Sequence, residues 1–261
     1  MQGEKQYKTG LDVGSTTAKI VIIDESGQTV FSRYERHNAQ VNDLLSAYFR
    51  EARQELGNIE TSIAVTGSVG MGTAEQLRTE FIQEVVAATR YAQQLYPSAS
   101  ALIDIGGEDA KVVLFQGNHI DLRMNGNCAG GTGAFIDQMA DNCCEGVDIE
   151  ELSRLALQAE HIHPIAARCG VFSKTDIQNL VSRNVPLGDT AASIFHAVAV
   201  QTIVTLSRGW TFHPPILLCG GPLTFIPALR KAFADYLHLQ ESDFILPAGG
   251  NLLPALGCAL C

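Results

Sequence analysis

The sequence is 261 residues long, enough for one large domain or two medium-sized domains with buried cores. Hydrophobic residues make up 46% and charged residues 18%, which excludes a disordered chain. The net charge of −10, without a basic stripe, argues against nucleic acid or an anionic membrane as partner. The polar N-terminal residues do not form a signal peptide, and the longest apolar stretch carries polar residues, so we expect a cytoplasmic protein.

The first part of the chain predicts an antiparallel meander followed by helices. In chain order we predict strands at 9–13, 18–23 and 29–34, a helix at 41–56 ended by Gly57, a strand at 62–66, and one long helix or two over 73–96. The turn between the first two strands is rich in Gly, Ser and Thr. Such a turn brings backbone N–H groups and hydroxyls close to a ligand.

The opening pattern then recurs, and this internal repeat is the most informative feature of the organisation. LDVGSTTAKIVII (11–23) aligns with IDIGGEDAKVVLF (103–115). Each copy has an Asp at a strand end, glycine in the turn, and Ala-Lys at the start of the next strand. We therefore predict two related lobes, 1–98 and 99–261, with the last helix able to return to the first lobe.

The second part predicts three strands and then a mostly helical region. We predict strands at 101–105, 110–115, 119–124, 215–219 and 243–246, and helices at 133–142, 148–159, 173–183, 189–208, 225–237 and 252–260. Asp189 is the predicted N-cap of the long apolar helix.

The two glycine-containing turns are candidate phosphate-binding hairpins. A nucleotide triphosphate with Mg²⁺ needs backbone N–H donors near the phosphates and carboxylates facing the hydrated metal. Asp12 with Gly14, Ser15, Thr16 and Thr17 offers one such hairpin, and Asp104 with Gly106 and Gly107 offers the other, while Lys19 adds a point charge. The alternative is that each is a tight β-hairpin with a solubilising Asp.

The seven cysteines raise the question of metal or redox chemistry, since a disulfide framework is not expected in the cytosol. Cys128 and Cys169 each precede a predicted helix, whose N-terminal N–H groups would stabilise thiolates. Two cysteines cannot fill the four thiolate positions of an iron–sulfur cluster, but a twofold dimer supplies four. The alternative is two buried, inert thiols. Adjacent Cys143 and Cys144 are interpreted as incidental.

Three motifs resemble those of the acetate and sugar kinase/Hsp70/actin superfamily. LDVGSTTAK, IDIGGEDAK and LLCGGPLTF look like its phosphate-1, phosphate-2 and adenosine motifs, in that order. The resemblance implies an α/β fold of two actin-like (ribonuclease H-like) lobes, with mixed sheets flanked by helices and the nucleotide in the cleft between them. It also implies that Asp12 and Asp104 face Mg²⁺ and the hydrolytic water, and that Gly220 and Gly221 approach the adenosine.

Two further motifs, CAGGTGAFIDQMA and ARCGVFSKTDI, resemble the cluster motifs of the 2-hydroxyacyl-CoA dehydratase activators, which include the ATPase subunits of benzoyl-CoA reductase. That family implies a homodimer with one [4Fe–4S] cluster, held here by Cys128 and Cys169. It implies ATP-driven transfer of one electron, under anaerobic conditions, to a dehydratase or related reductase component, with a ferredoxin or flavodoxin as electron source. The resemblance extends from Thr9 to about Leu260.

The sequence departs from this pattern at Glu108, where the family has Gln, and we expect that catalytic position to hold water or metal differently. Two other functions remain open. A small-molecule kinase of the sugar type would need a general base beyond Asp104. A nucleotide-dependent regulator would bind ATP without metal or electron transfer.

Overall fold

The computed structural model describes residues 6–117, 119–125, 130–144, 146–166 and 170–261, so that Cys128 and Cys169 lie outside the described residues. The strands are β1 (Tyr7–Val13), β2 (Thr17–Ile23), β3 (Thr29–Arg36), β4 (Thr61–Thr66), β5 (Glu80–Phe81), β6 (Ala101–Ile105), β7 (Ala110–Gln116), β8 (His119–Asn125), β9 (Ile216–Cys219) and β10 (Phe244–Ile245). The helices are α1 (Val41–Leu56), α2 (Gly70–Leu77), α3 (Glu84–Leu95), α4 (Gly133–Cys143), α5 (Ile149–Ala156), α6 (Gly170–Ser182), α7 (Leu187–Ser207), α8 (Gly221–Phe225), α9 (Pro227–Leu237) and α10 (Leu253–Ala259).

Most of the predicted elements are confirmed, including two helices in place of one over 73–96, whereas one strand was missed and one N-cap is wrong. The helical segment predicted over 73–96 is interrupted by the short strand β5, so two helices, α2 and α3, flank a strand. Helix α7 begins at Leu187 after Pro186, so Asp189 is not its N-cap. Asp189 instead lies buried in the first turn, where its Oδ1 accepts hydrogen bonds from the backbone N–H groups of Glu160 and His161.

The two sheets repeat one topology. The first has the strand order β3-β2-β1-β4-β5, and the second has the order β8-β7-β6-β9-β10. In each sheet the first three strands form an antiparallel meander, and the remaining two run parallel to its first strand. The internal repeat predicted from the sequence is therefore a duplicated five-stranded mixed sheet.

The contacts within the chain define two compact units. The first comprises the described residues up to Pro97 together with Asn251–Cys261, and the second comprises Ser98–Gly250. In the first unit, helix α1 packs Leu45 and Tyr48 against the apolar side chains of β1 and β2. The final helix, α10, contacts β1 and α3 of this unit.

Two glycines allow α10 to lie directly on its neighbours. A Cβ atom on Gly10 of β1 would lie 1.8 Å from the carbonyl oxygen of Ala255, and one on Gly257 would lie 1.9 Å from that of Ala87. Real Cβ atoms do not approach so closely, so both positions require glycine. Helix α10 is thus packed backbone to backbone against β1 and α3.

The second unit is built around helix α7. Its side chains Phe195 and Val198 belong to one buried apolar cluster with Phe135 and Ile136 of α4 and with apolar residues of β6 and β7. In the part of the chain that the structure describes, α7 is the one helix long and apolar enough to cross a membrane, and 72% of its apolar window is buried inside the protein. That burial is typical of a core helix.

Candidate functional site

The first candidate hairpin joins β1 to β2 and contains a buried ion pair. Asp12 lies opposite Lys19 in the strand register and is 1% exposed. The Lys19 Nζ donates to Asp12 Oδ2 at 2.7 Å. Burial alone would lower the pKa of Lys19, but the charge and hydrogen bond of Asp12 outweigh it and raise that pKa. The ammonium predicted to contact phosphate is thus already engaged by Asp12, and its role toward phosphate stays a prediction.

The turn of this hairpin is held by a residue that the sequence analysis missed. The Gly14 N–H donates to Thr17 O at 3.0 Å, which leaves Ser15 and Thr16 at the tip. The His37 Nε2 lies 3.1 Å from Gly14 O, and its Nδ1 accepts the Ala39 N–H. Since Nδ1 is an acceptor, the ring proton is on Nε2, which donates to Gly14 O. No local motif marks this contact, which comes from the end of β3.

The second hairpin joins β6 to β7 with the same register. Asp104 lies opposite Lys111 and is 5% exposed, and the Gly106 N–H donates to Asp109 O at 2.8 Å. A Cβ on Gly106 would lie 2.3 Å from Asp109 Oδ1, so a side chain at 106 would require that carboxylate to move. The Lys111 Nζ also pairs with Asp109 Oδ2 at 2.9 Å.

The tip of the second hairpin differs from that of the first in what it exposes. Gly107 and Glu108 are exposed there, whereas Ser15 and Thr16 are half-buried. The exposed Glu108 carboxylate has no hydrogen bond to any other residue that the structure describes, so it is able to approach a ligand. Its predicted catalytic role is not tested by this geometry alone.

The duplication also includes the glycines that follow β4 and β9. One of them, Gly67, was not predicted as part of the site. Gly67 follows β4 and Gly220 follows β9, with φ angles of 99° and 86°. A Cβ on Gly67 would lie 2.5 Å from Asp12 Oδ1, and one on Gly220 would lie 2.5 Å from Asp104 Oδ1. Each strand-end carboxylate is therefore bordered by a glycine on the neighbouring parallel strand. The signal in the sequence was a Gly directly after an apolar strand, at both 67 and 220.

The Asp12 carboxylate retains an unused acceptor. Asp12 Oδ1 and Thr66 Oγ1 are both buried, and neither has a hydrogen-bond partner among the described residues. Thr66 is the register partner of Asp12 on β4. An unpaired buried carboxylate oxygen is costly unless a ligand satisfies it. Oxygen ligands of this kind suit a hydrated Mg²⁺, so the residues present fit that ion.

The glycine pair predicted near the adenosine lies at the start of α8. Gly220 precedes the helix, Gly221 is its first residue, and the Gly220 N–H donates to Gly250 O at 3.1 Å. In the register, Cys219 is the partner of Asp104, where the first unit has Thr66. Burial, together with the Asp104 charge, raises the pKa of the Cys219 thiol well above its ordinary value. Cys219 is therefore a neutral packing residue.

Cys128 lies outside the described residues, but the helix that follows it has a definite N-terminus. The Gly133 N–H donates to Gly106 O at 2.9 Å, and the Ala134 N–H donates to Gly107 O at 2.7 Å. From the sequence, the N–H groups at this helix start were expected to stabilise a thiolate. The first two are instead bonded to the carbonyl groups of the second hairpin.

Cys169 also lies outside the described residues, directly before α6. The residue Ala166 is held from both sides by that helix, because its N–H donates to Asp176 Oδ2 at 2.8 Å and its carbonyl accepts from Ser173 Oγ at 2.5 Å. Asp176 thus anchors the backbone at Ala166 to α6. Helices α4 and α6 contact each other.

The other cysteines for which the structure describes a side chain show no sign of metal binding. Cys144, Cys219 and Cys258 are buried, and Cys261 is exposed. Burial raises the pKa of Cys258 as well. Among the described residues no group of three or more His, Cys, Asp or Glu side chains could hold a metal ion. This statement does not include the predicted cluster ligands Cys128 and Cys169, which lie outside the described residues.

Comparison with known proteins identifies the family. The 2-hydroxyisocaproyl-CoA dehydratase activator of Clostridioides difficile is 28% identical over 262 residues, which cover 97% of this chain and 94% of the relative. A solved structure of the activator of the 2-hydroxyisocaproyl-CoA dehydratase from Clostridium difficile, with bound ADPNP, has a TM-score of 0.80 and 26% identity, covering 97% of this chain and 93% of that one.

A second solved structure supports the fold. Component A of (R)-2-hydroxyglutaryl-CoA dehydratase from Acidaminococcus fermentans has a TM-score of 0.86 at 24% identity, covering 97% of this chain and 96% of that one. The two mixed sheets flanked by helices are thus the predicted actin-like α/β fold. The sequence also matches the BadF/BadG/BcrA/BcrD ATPase family over residues 9–260. This chain is a member of the BadF/BadG/BcrA/BcrD ATPase family.

Proposed function

We propose that this ATPase is a one-electron donor that reduces a partner 2-hydroxyacyl-CoA dehydratase or a related CoA-ester reductase. The observation that carries the proposal is the duplicated arrangement of Asp12 and Asp104. Each is buried at a strand end and is bordered by a glycine with a positive φ. Each is followed by a turn in which a glycine N–H donates to a backbone carbonyl oxygen. The names of the relatives, which activate dehydratases, supply the class of partner.

The proposed ligand is ATP or ADP with Mg²⁺. The proposed nucleotide ligands are Gly14, Ser15, Thr16, Thr17, Lys19, Gly106, Gly107, Gly220 and Gly221. Asp12, Asp104 and Glu108 act on the metal and the hydrolytic water. The Oδ1 of Asp12, which has no hydrogen-bond partner among the described residues, supports this role, because a metal-bound water would donate to it.

Cys128 and Cys169 of each of two copies hold one [4Fe–4S] cluster in a homodimer. The ligand count supports this, since one chain offers half of the four thiolates required. When bound, the cluster supplies one-electron transfer at low potential. A reduced ferredoxin or flavodoxin loses one electron to the protein, and the acceptor component gains it. We place the protein in the cytoplasm, without nucleic-acid or membrane partners, and in anaerobic metabolism.

Iron content after anaerobic purification tests the cluster. We expect a brown protein with about four iron atoms per dimer. Cys128→Ala and Cys169→Ala should each remove the iron while leaving nucleotide binding intact. The matched control is Cys261→Ala, which removes an exposed thiol and should keep the iron.

A colourless, iron-free protein after anaerobic preparation would overturn the electron-donor proposal. If that protein phosphorylated a small sugar, the kinase hypothesis would replace it. Iron that survives in both Cys128→Ala and Cys169→Ala would overturn the ligand assignment while leaving the ATPase assignment in place.

A further inference from the structure

We propose that Cys258 and Cys261 form a redox-active dithiol, which a disulfide of small thiols converts into an intramolecular disulfide. The two residues are three positions apart at the end of α10, in the order Cys-Ala-Leu-Cys. This spacing is that of Cys-X-X-Cys redox motifs. The inference goes beyond the proposed function, since it involves neither the proposed nucleotide ligands nor the predicted cluster cysteines.

The backbone brings the two cysteines onto one turn. Helix α10 ends at Ala259, and Leu260 keeps helical angles, with a φ of −83° and a ψ of −9°. The Cys261 N–H donates to Cys258 O at 3.1 Å, so the turn closes between the two cysteines themselves. A bond between residues three apart holds their Cα atoms less than about 7 Å from each other, and disulfides need about 4.4–6.8 Å.

The side chain of Cys261 points back along the helix toward Cys258. Its thiol donates to the carbonyl oxygen of Gly257, the residue before Cys258, with the sulfur at 3.2 Å. Cβ atoms three residues apart in a helix are about 5–6 Å apart, whereas a disulfide needs about 3.5–4.5 Å. Cys261 is exposed and lies beyond the last helical residue, so it is the partner that is able to make this approach.

Cys258 is held in the interior of the first unit. It is 1% exposed and belongs to a small buried cluster with Ile82 and Ala87. The preceding residue, Gly257, lies so close to α3 that a Cβ on it would be 1.9 Å from Ala87 O. Helix α10 therefore cannot rotate to expose Cys258 without losing this contact. A reagent from solution meets Cys261 before it meets Cys258.

The unequal burial of the two thiols sets the order of the reaction. Burial raises the pKa of Cys258, and the charge of a Cys261 thiolate raises it further. The thiolate, not the thiol, is the nucleophile in disulfide exchange. The exposed Cys261 therefore attacks the oxidant first, and the attack by Cys258 is the second and slower step.

The two steps balance without any further reactant. In the first, the Cys261 sulfur bonds to one sulfur of the small disulfide, whose S–S bond breaks, and the leaving thiolate takes up the proton that Cys261 lost. In the second, the Cys258 sulfur bonds to the Cys261 sulfur, the mixed disulfide breaks, and the second small thiol leaves with the proton from Cys258. The protein loses two electrons and two protons, and the small disulfide becomes two thiols.

The test uses the full chain in buffers that contain reduced and oxidised glutathione at fixed ratios. After an acid quench the protein is denatured, its free thiols are alkylated with N-ethylmaleimide, and trypsin is added. Cleavage after Lys231 releases residues 232–261, a peptide whose cysteines are Cys258 and Cys261. We expect mass spectrometry to find this peptide two hydrogens lighter and without alkylation, in a fraction that rises with the share of oxidised glutathione.

Two single variants separate the two steps. Cys258→Ala keeps the exposed thiol and removes the second nucleophile, so the mixed disulfide of Cys261 with glutathione should accumulate about tenfold above its level in the unaltered protein. Cys261→Ser removes the exposed thiol, and its buried Cys258 should stay free of glutathione in the folded protein. Because Cys261→Ser changes an exposed residue, this arm holds even where Cys258→Ala fails to fold.

The inference is overturned if the unaltered protein stops at the glutathione adduct of Cys261 at every ratio. It is equally overturned if the disulfide forms only when urea is added before the oxidant, or if Cys258 of folded Cys261→Ser takes up glutathione by itself. Iron content does not enter this measurement, so its failure is distinguishable from failure of the proposed function.

Discussion

His37 donates its Nε2–H to the carbonyl oxygen of Gly14, and this contact fixes the turn between β1 and β2 from outside that hairpin. The His37 N–H also donates to Thr16 O at 3.2 Å, so one residue holds two carbonyl groups of the turn. The next two residues, Asn38 and Ala39, have left-handed φ angles of 47° and 64°. Ala39 is held in this unfavourable conformation by its N–H bond to His37 Nδ1.

Replacing His37 should weaken nucleotide binding without unfolding the protein. His37→Ala removes the bond to Gly14, which is worth about 1 kcal/mol. We expect about fivefold weaker ATP binding, measured by calorimetry. His161→Ala, which removes an exposed imidazole, is the control and should bind ATP normally. Equal ATP affinities for the His37 variant and the unaltered protein would show that ATP binding does not depend on the bond from His37 to Gly14.

Breaking the Lys19–Asp12 pair should destabilise the first unit. Lys19→Met leaves a carboxylate that is 1% exposed without its counter-charge. Removing one partner of such a pair costs about 3 kcal/mol in the free energy of unfolding, measured by urea denaturation. Lys231→Met breaks an exposed pair with Asp235 and should change little. Adding Asp12→Asn to Lys19→Met should recover part of the loss but not ATP hydrolysis.

The same pair gives a pH dependence at high pH. The pKa of Lys19 is raised above its ordinary value of 10.5 in the folded protein. Its contribution to stability is therefore complete below that value and is lost as the pH rises through the higher folded pKa. We expect the stability difference between the unaltered protein and Asp12→Asn/Lys19→Met to be constant from pH 7 to about 10 and to shrink above it. A difference that shrinks below pH 9 would contradict this assignment.

The glycines at the two strand ends should respond alike to substitution. Gly67→Ala and Gly220→Ala each combine a positive φ with a Cβ 2.5 Å from an Asp Oδ1. Gly27→Ala shares the positive φ, at 79°, but its Cβ meets nothing within 4 Å, so it isolates the backbone cost. That cost is about 1 kcal/mol, and we expect a larger loss of unfolding free energy at Gly67 and Gly220. A loss no larger than that of Gly27→Ala would contradict the close approach.

The buried thiols should resist alkylation in the folded protein. Burial and the Asp104 charge raise the pKa of Cys219 well above its ordinary value of 9.0, and the pKa of Cys258 is raised too. At pH 8 both remain protonated, and the thiolate is the reactive form. We expect iodoacetamide to modify Cys261 within minutes and Cys219 and Cys258 only after denaturant is added. Modification of Cys219 at the rate of Cys261 would refute its burial.

The parts of the fold that the sequence predicted are those with a local pattern. Helix α1 was predicted over its full length because its apolar residues repeat at helical spacing and Gly57, with a φ of 79°, ends it. The duplicated sheet was predicted because both hairpins keep Asp, Gly and Ala-Lys in the same order. Strand β5 was missed since two residues give no periodicity, and its pairing with β4 depends on the tertiary fold.

The parts of the site that escaped prediction depend on contacts between distant segments. The bonds from Gly133 and Ala134 to the hairpin join backbone groups 27 residues apart, as the numbering from Gly106 to Gly133 and from Gly107 to Ala134 shows. Backbone hydrogen bonds leave no signature in residue type. His37 escaped for a similar reason, since its role depends on where β3 ends. Gly67 had a detectable signal, because it repeats the position of Gly220.

The return of α10 to the first unit has a consequence for biosynthesis. The second unit is one continuous stretch of chain, so its core can close as soon as residue 250 has left the ribosome. The first unit lacks the helix that lies on Gly10 and Ala87 until Leu253–Ala259 has been made. The unit that is translated first is therefore completed last. Until α10 has been made, the face of β1 on which it packs stays uncovered.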